Sequence, residues 1–438
     1  MKSNKTVEIL GAGLAGSEAA YYLAKRGYEV KLFDIKPKNF TPAHKNPNYG
    51  ELVCSNSLKS DDVYGNACGL LKEEMRILGS LMTSCAESSR VPAGNALAVD
   101  RDKFAALITE KLKSFKNIEF ICKEKTCIDF SLPTIVATGP LTTDALCDFI
   151  KNLTGSFYFF DAAAPIVTAE SIDMNYAFIS DRYGEEGKGD YVNCPMNKEE
   201  YEEFYSALIS AKRAELHDFE NDKVFEGCMP VEVMAARGVD TLRFGPLKPA
   251  GLTNPKTGRW AYACMQLRKE NAEGSLYNLV GFQTNLLFGE QKRVFSMIPA
   301  LKNAEFVRYG VMHKNNYINA PMSLDKYFKL KDKPFTYFAG QLAGVEGYVE
   351  SAASGLIAAI NLDRNLSGKE GIDWDARTVS GALSAYISAP NANFQPMNAN
   401  FGILSPIGGG KMQKEAKKRA YAERALEQIK NIAEIINL

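Results

Sequence analysis

The stretch Val7–Asp34, VEILGAGLAGSEAAYYLAKRGYEVKLFD, has the pattern strand, tight turn, helix, strand. A short apolar run, Val7–Leu10, leads into Gly11–Gly16, which fits G-x-G-x-x-G. The Ala-rich segment Ser17–Lys25 is typical of a helix, and the alternating segment Tyr28–Phe33 is typical of a second strand. Together these features predict a βαβ unit that binds a nucleotide.

The glycines and one acid of this stretch have distinct physical roles. Gly11 permits the tight turn, Gly13 lets the backbone approach a pyrophosphate, and Gly16 lets the helix pack closely on the strand. Asp34 follows the glycines by about 20 residues, where a ribose hydroxyl needs an acceptor. The free N–H groups at the start of the helix would face the phosphates. The residues expected to contact the nucleotide here are Leu10, Gly11, Ala12, Gly13, Leu14, Ala15, Gly16 and Asp34.

Length and composition limit the classes of protein to consider. With 438 residues, of which 46% are hydrophobic, the chain is long enough for two or three domains. Lys and Arg total 52, as do Asp and Glu, so the net charge does not favour nucleic acid, although a local basic patch could still bind it. No apolar run approaches the roughly 18 residues of a membrane span, and the N-terminus lacks a signal-peptide pattern. We therefore expect a cytoplasmic protein without membrane contacts.

The cysteine and histidine content argues against a disulfide framework and against a metal centre. The nine cysteines are scattered, odd in number and without C-x-x-C spacing, and the chain has only three histidines. We expect no metal site.

Two later segments return to the pattern of a strand followed by a glycine turn. One predicted strand ends in Ala-Thr-Gly, and its Thr138 and Gly139 either bring backbone against the bound dinucleotide or form an ordinary strand exit. Much later, the strand Phe335–Ala339 is followed by a glycine turn, Gly340–Gly344, and a small-residue helix, Tyr348–Leu362. A second strand, glycine turn and helix so late in the chain predicts a discontinuous first domain.

The fold class predicted is therefore α/β: a discontinuous Rossmann-like domain, residues 1–163 and 301–438, with an inserted mixed α+β domain, residues 164–300. Apolar spacing predicts one helix over Leu70–Ala86, and a long helix, Met412–Ile436, ends the chain. The basic residues near its start either touch phosphates or form a solvated face, and charge alone favours the solvated face. They are Lys411, Lys414, Lys417, Lys418, Arg419 and Arg424.

Two cysteines differ from the rest because they lie in turn-like segments with polar neighbours. Cys54 follows Glu51 and precedes a Ser/Asn run, and Cys228 lies between a glycine and a nearby proline. Either thiol could be accessible and nucleophilic. Cys194 and Cys68 are the next candidates, and the remaining cysteines have the pattern of buried small hydrophobic residues.

Taken together, the motifs resemble one family, the folate- and FAD-dependent tRNA uracil-5-methyltransferases (TrmFO). The resemblance extends from about Val7 to the C-terminal helix. Its most characteristic motifs are GAGLAGSEAA, ELVCSNSLKS, VPAGNALAVDRDKF, ATGPLT, FEGCMPVEVMAARG, RYGVMHKN, FAGQLAGVEGYVESAASG and NFQPMNANFG. The glycine turn and the FAGQ segment are also similar to a sister family, the longer FAD-containing subunit that modifies the tRNA wobble uridine.

The resemblance implies a chemistry that needs FAD, methylenetetrahydrofolate and a nicotinamide reductant, NADPH or NADH. A thiolate adds to carbon 6 of uracil, and carbon 5 then attacks a one-carbon unit carried by reduced flavin. By motif, Cys228 would add to carbon 6 and Cys54 would remove the carbon 5 proton, although the two roles could be exchanged. Gly340, Gln341 and Tyr348 would reach the ribityl and isoalloxazine end of FAD.

The RNA substrate stays open at this point. The resemblance implies 5-methyluridine in the T-loop of tRNA, and relatives of the family can act on ribosomal RNA instead. A flavin-containing RNA-binding module without methylation activity and an FAD oxidoreductase of small molecules are the alternatives from other classes.

Overall fold

The computed structural model describes residues 6–41, 43–162, 164–184, 188–214, 229–271, 273–310, 312–392, 394–408 and 412–436. The described strands are β1 Thr6–Leu10, β2 Glu29–Asp34, β3 Ser57–Ser60, β4 Arg90–Val91, β5 Ala96–Val99, β6 Ile118–Cys122, β7 Thr134–Val136, β8 Ser156–Ala162, β9 Ile166–Thr168, β10 Phe178–Ile179, β11 Tyr191–Met196, β12 Thr253–Asn254, β13 Arg259–Trp260, β14 Ala263–Lys269, β15 Leu276–Leu279, β16 Phe306–Arg308, β17 Met312–Ile318 and β18 Thr336–Phe338.

The described α-helices lie between some of these strands and after the last one. They are α1 Leu14–Lys25, α2 Ala67–Ile77, α3 Leu81–Ser88, α4 Arg101–Lys113, α5 Asp144–Thr154, α6 Lys198–Ser210, α7 Val231–Ala236, α8 Thr241–Phe244, α9 Phe288–Phe295, α10 Ala320–Ser323, α11 Tyr348–Leu366, α12 Val379–Ser388 and α13 Lys414–Ile436. None of the helices described is long and apolar enough to cross a membrane.

A five-stranded parallel sheet forms the centre of the first domain, in the order β18-β7-β1-β2-β6. Its central strand β1 is buried along almost its whole length because helices cover the sheet. Strand β18 comes from far along the chain and pairs with β7, so the sheet joins two distant parts of the sequence. The predicted fold class, a Rossmann-like α/β domain that is discontinuous in sequence, is confirmed.

Close backbone packing around the glycine turn explains two of its glycines. Gly11 has a φ of +94°, which favours glycine, and an ideal Cβ on Gly16 would lie 1.8 Å from the Gly11 carbonyl oxygen. Helix α11 crosses α1 just as closely, since a Cβ on Gly355 would lie 2.2 Å from the carbonyl oxygen of Ala15. Side chains at Gly16 and Gly355 would therefore separate the two helices and the strand.

A six-stranded antiparallel sheet, β10-β11-β14-β15-β9-β16, forms the centre of the second domain. It has its own apolar core, in which Phe204 of α6 packs against Phe282, and Phe282 packs against Phe295 of α9. Strand β16, at Phe306–Arg308, belongs to this sheet. The antiparallel pair β8 and β17 runs beside the connections between the two sheets.

The single helix expected over Leu70–Ala86 is wrong, because the structure has two helices there. Gly79 takes a φ of +72°, which interrupts the helix, and the Ser80 side chain accepts a hydrogen bond from the Thr83 N–H as the N-cap of α3. The apolar spacing that suggested one helix reflects two short helices that pack on the same core.

Candidate active site

A cavity of about 400 Å³ opens at the carboxyl edge of the parallel sheet. The carboxyl ends of β1, β2, β7 and β18 meet at this edge, which is where ligands bind in open α/β sheets. Of the residues predicted for the site, those that line the cavity are Leu10, Gly11, Gly13, Leu14, Ala15, Asp34, Cys54, Thr138, Gly139, Gly340, Gln341 and Tyr348. Ala12 and Gly16 lie in the same turn but do not line it.

The Asp34 carboxylate stabilises the glycine turn by hydrogen bonds. Its Oδ2 accepts a hydrogen bond from the Ala12 N–H at 2.7 Å, and its Oδ1 accepts one from the Lys36 N–H at 2.9 Å. Each carboxylate oxygen has a second lone pair, so both can still accept from a ribose hydroxyl. Asp34 therefore stabilises the turn and can also accept a hydrogen bond from a ribose at the expected position.

The space around Gly13 fits a dinucleotide. Gly13 is exposed and lines the cavity, and an ideal Cβ built on it meets no atom within 4 Å. The start of helix α1, with its free N–H groups, follows directly. The open space, the adjacent helix N-terminus and the acid at the end of β2 are the features that the pyrophosphate and ribose of FAD require.

The second glycine turn also lines the cavity, next to the first, since a Cβ on Gly340 would lie 3.3 Å from the Ala15 Cβ. Gly340 has a φ of +76°, and its N–H donates to the Ser354 Oγ of α11 at 2.7 Å. The Gln341 side-chain amide donates to Glu346, which also lines the cavity. The neutral amide is thus held at the cavity by a carboxylate that the sequence analysis had not singled out.

Cys54 and Tyr348 are in direct contact within this cavity. The Tyr348 hydroxyl oxygen accepts a hydrogen bond from the Cys54 N–H at 2.7 Å and lies 3.0 Å from the Cys54 Sγ. Because the oxygen already accepts an N–H, its own proton is available to the sulfur. Burial, and then the neighbouring Cys54, raise the pKa of Tyr348 well above its usual value, so the hydroxyl keeps that proton.

Three buried or half-buried arginines hold the loop that carries Cys54. Arg101 of α4 donates to the carbonyl oxygens of Leu52 and Val53 at 3.1 and 3.0 Å. Arg308 of β16 donates to the same Val53 oxygen at 2.7 Å. Arg268 of β14 donates to the Ser55 Oγ at 2.8 Å and to the Asn56 Oδ1 at 3.0 Å.

Arg101, Arg268 and Arg308 form an arginine cluster with three positive charges, of which Glu270 can neutralise one. Glu270 is buried against it and forms an ion pair with Arg101. Burial lowers the pKa of Arg268 and Arg308, but a guanidinium remains charged at neutral pH. Excess positive charge close to a thiol stabilises its thiolate, which is the nucleophilic form.

Cys228, the second cysteine predicted for the site, lies outside the described residues. The described chain resumes at Met229, and the Val231 N–H donates to the Gln283 carbonyl oxygen at 2.7 Å. Gln283 lines the same cavity as Cys54. Of the next candidates, Cys194 and Cys68 are buried, and burial raises the pKa of the Cys68 thiol to about 12.

Of the basic residues predicted near the start of the terminal helix, Lys411 lies outside the described residues, and several of the others make contacts within the protein. Lys418 pairs with Glu415 at 3.1 Å, and Arg419 pairs with Glu423 at 2.9 Å. Arg424 donates to the Ser405 and Pro406 carbonyl oxygens. These contacts favour the solvated, structural face.

Within the residues that the structure describes, no group of three or more His, Cys, Asp or Glu side chains could hold a metal ion.

The sequence analysis missed the arginine cluster and Glu270. The residues lie on elements of both domains, so no local spacing connects them. Two of them, Arg101 and Arg308, stand in motifs that carried the resemblance, VPAGNALAVDRDKF and RYGVMHKN, and this signal could have identified them.

Comparisons with known proteins show the family to which the chain belongs. The family model described as glucose inhibited division protein A matches residues 6–370. Two solved structures of Aquifex aeolicus GidA share the fold; one has a TM-score of 0.70 at 15% identity and covers 99% of this chain and 74% of that one. The chain is 56% identical over 429 residues to a Fusobacterium nucleatum protein, covering 98% of each, and 51% identical over 436 residues to one from Bacillus licheniformis, covering 99% of this chain and 100% of that protein. Both relatives carry the name methylenetetrahydrofolate–tRNA-(uracil-5-)-methyltransferase TrmFO, and the chain belongs to this TrmFO family.

Proposed function

We propose that the protein forms 5-methyluridine in the T-loop of tRNA, with methylenetetrahydrofolate as carbon donor and NADPH or NADH as reductant. One observation carries the proposal: the Cys54 thiol lies in the same cavity as the dinucleotide-binding glycine turn. The thiol expected to remove the carbon 5 proton of uracil and the site expected for FAD are therefore adjacent, as the resemblance of the sequence to the family requires. A tRNA substrate is consistent with the cytoplasmic location expected from the sequence.

The residues of the chain would bind, orient and exchange protons. Gly11–Gly16 and Asp34 would hold the phosphates and ribose of FAD, with Thr138, Gly139, Gly340, Gln341 and Tyr348 along the rest of the molecule. When bound, reduced FAD supplies the hydride and carries the one-carbon unit. The target base must leave its stack to reach the cavity.

Two thiols would have separate roles in the reaction on uracil. The Cys228 thiolate would add to carbon 6, which makes carbon 5 an enolate carbon that attacks the one-carbon unit. Cys54 would remove the carbon 5 proton as the one-carbon unit is released from its carrier, and a hydride would then complete the methyl group. The bond between carbon 6 and sulfur would break last and return the Cys228 thiolate. The Tyr348 hydroxyl and the arginine cluster support the proton-accepting role, because both stabilise a thiolate at Cys54.

Incubation of purified protein with radiolabelled methylenetetrahydrofolate, NADPH or NADH, and transcripts of tRNA and ribosomal RNA tests the proposal. Label in the tRNA T-loop uridine is the expected result. Label in ribosomal RNA alone would show that ribosomal RNA, and not tRNA, is the substrate. Reductant consumption without any labelled RNA would favour a flavin-containing module or a small-molecule oxidoreductase.

A further inference from the structure

A second cavity, of about 470 Å³, lies in the second domain and has no part in the site described above. Its wall includes the β12–β13 hairpin and the ends of β11 and β14. Two aromatic side chains at its edge are strongly exposed, Tyr176 at 56% and Trp260 at 55%. Exposed aromatic rings beside a cavity are the usual platform for stacking unpaired bases.

The charges of this cavity complement a phosphate backbone. Lys198, Lys256 and Arg259 line it, and Glu200 is the acidic residue among the lining side chains. The Glu200 carboxylate accepts the Asn197 N–H at 2.7 Å and caps helix α6, so it is turned to the backbone of its own helix. The cavity therefore combines stacking surfaces with a local excess of positive charge, in a chain whose net charge is zero.

The position of the cavity relates it to Cys54. Strand β14 starts at Ala263, beside the cavity, and five residues later reaches Arg268, which holds the Cys54 loop. At 3.4 Å per residue, Ala263 beside the cavity and Arg268 beside the Cys54 loop are about 17 Å apart. One folded RNA can span this distance and occupy both sites.

We infer that this cavity, called here the Trp260 cavity, is an accessory site that binds unpaired nucleotides of the RNA substrate by stacking on Trp260 and Tyr176. The inference rests on the proposed function for the kind of partner. Lys256 and Arg259, in and beside the hairpin turn, contact the phosphates of the same nucleotides. The site anchors the RNA while the target base enters the first cavity.

The chain has two tryptophans, and Trp374 is buried at 4% exposure, so Trp374→Phe leaves Trp260 as the only indole. An unmodified tRNA transcript should protect the Trp260 fluorescence of this variant from quenching by acrylamide. Absence of protection at saturating tRNA would overturn the inference. Protection without methylation by the wild-type protein would leave the binding site standing while the proposed function fails.

Binding measurements separate stacking from charge. Trp260→Ala should weaken tRNA affinity about 5- to 150-fold with an unchanged salt slope and unchanged FAD content. Lys256→Ala with Arg259→Ala should lower the slope of log affinity against log salt by roughly one to two. Tyr183→Ala removes a 77% exposed ring outside the cavity and should match the wild type. Wild-type affinity in Trp260→Ala would overturn the inference, and a change only in the sedimentation of this variant would identify a protein contact instead.

Discussion

At the scale of single residues, Gly13 and Gly16 of the same turn differ in what surrounds them. Gly13 has a φ of −67°, which any residue tolerates, and faces open space. Gly13→Val should therefore fold with the thermal midpoint of the FAD-free protein but purify without flavin, because the branched side chain fills the pyrophosphate position. Flavin absorbance and thermal unfolding measure the two properties.

Gly16→Ala is the matched control for this prediction. Its Cβ meets the Gly11 carbonyl oxygen at 1.8 Å, so this variant should lose stability even without FAD. Stoichiometric flavin in a folded Gly13→Val protein would refute the placement of the phosphates.

The two cysteines should fail at different steps. Cys228→Ala should lose methyl transfer and form no covalent complex with a transcript that carries 5-fluorouracil at the target position, because nothing adds to carbon 6. Cys54→Ala should also lose methyl transfer but keep the complex, because only removal of the carbon 5 substituent fails. Denaturing gels detect the complex, and the reverse pattern would exchange the two roles.

Tyr348→Phe isolates the hydroxyl that contacts Cys54. The change removes the acceptor of the Cys54 N–H and the proton available to the sulfur, with little change in ring packing. We expect slower alkylation of Cys54 by iodoacetamide at pH 7, since the thiolate is the reactive form. Peptide mass spectrometry measures the rate at Cys54, and Cys127, which is exposed and remote from Tyr348 in sequence, serves as the internal control. Equal rates at Cys54 in both proteins would show that the hydroxyl does not act on the sulfur.

At the scale of secondary-structure elements, buried carboxylates join helices. Glu18 of α1 accepts hydrogen bonds from the N–H groups of Leu81 and Met82, at 2.8 and 2.9 Å, where α3 begins. Glu74 of α2 accepts from Val379 and Ser380 at the start of α12 in the same way. Burial raises the pKa of each carboxyl to about 7, against the hydrogen bonds that lower it.

This raised pKa predicts a pH dependence of stability. Between about pH 5 and 7 the folded protein holds a proton at Glu18 that the unfolded chain has lost, so the free energy of unfolding falls as pH rises, by about 3 kcal/mol in all. Glu18→Gln should remove this contribution. The wild-type thermal midpoint should therefore fall relative to that of the variant between pH 5 and 7, and a constant difference would contradict the assignment.

At the scale of the whole molecule, the Cys54 loop is a joint between the two domains, because its residues form hydrogen bonds with both. Asn56 donates to the Val99 carbonyl oxygen of the first domain at 3.2 Å and to the Lys269 carbonyl oxygen of the second at 2.8 Å. Arg268 holds the same loop from the second sheet. The orientation of the second domain and the position of the thiol are therefore coupled.

Arg268→Ala should leave buried polar groups unpaired across this joint and destabilise the protein by about 3–5 kcal/mol. Arg268→Lys should fold and bind FAD but methylate more slowly, because lysine keeps the charge and loses the two-point contact. Turnover at saturating tRNA and flavin content test this. Arg293→Ala, which removes a surface ion pair with Glu290, is the control, and equal turnover in Arg268→Lys would separate the joint from catalysis.

Local geometry explains what the sequence alone could predict. The turn at Gly11–Gly16, its helix and the acid at Asp34 depend on backbone angles and on contacts over a few turns, so their pattern is visible in the residues. The second glycine turn, at Gly340, was assigned to the same site by the family resemblance, and the pairing of β18 with β7 brings it to the same sheet edge. Turn-like, polar surroundings singled out Cys54 and Cys228, their separate roles came from the family resemblance, and the domain boundaries remain predictions.

Tertiary packing decided the rest. Cys54 and Tyr348 are 294 residues apart, and no spacing in the sequence indicates that their polar atoms meet. The arginines around the Cys54 loop come from α4, β14 and β16. Their three charges therefore come together around the loop only once both domains have folded against each other. The sequence determined that a dinucleotide site forms at one sheet edge, because that site is built from local turns. Only the tertiary structure decided which thiol lies in it and which charges surround it, because those contacts join segments that are distant in the chain.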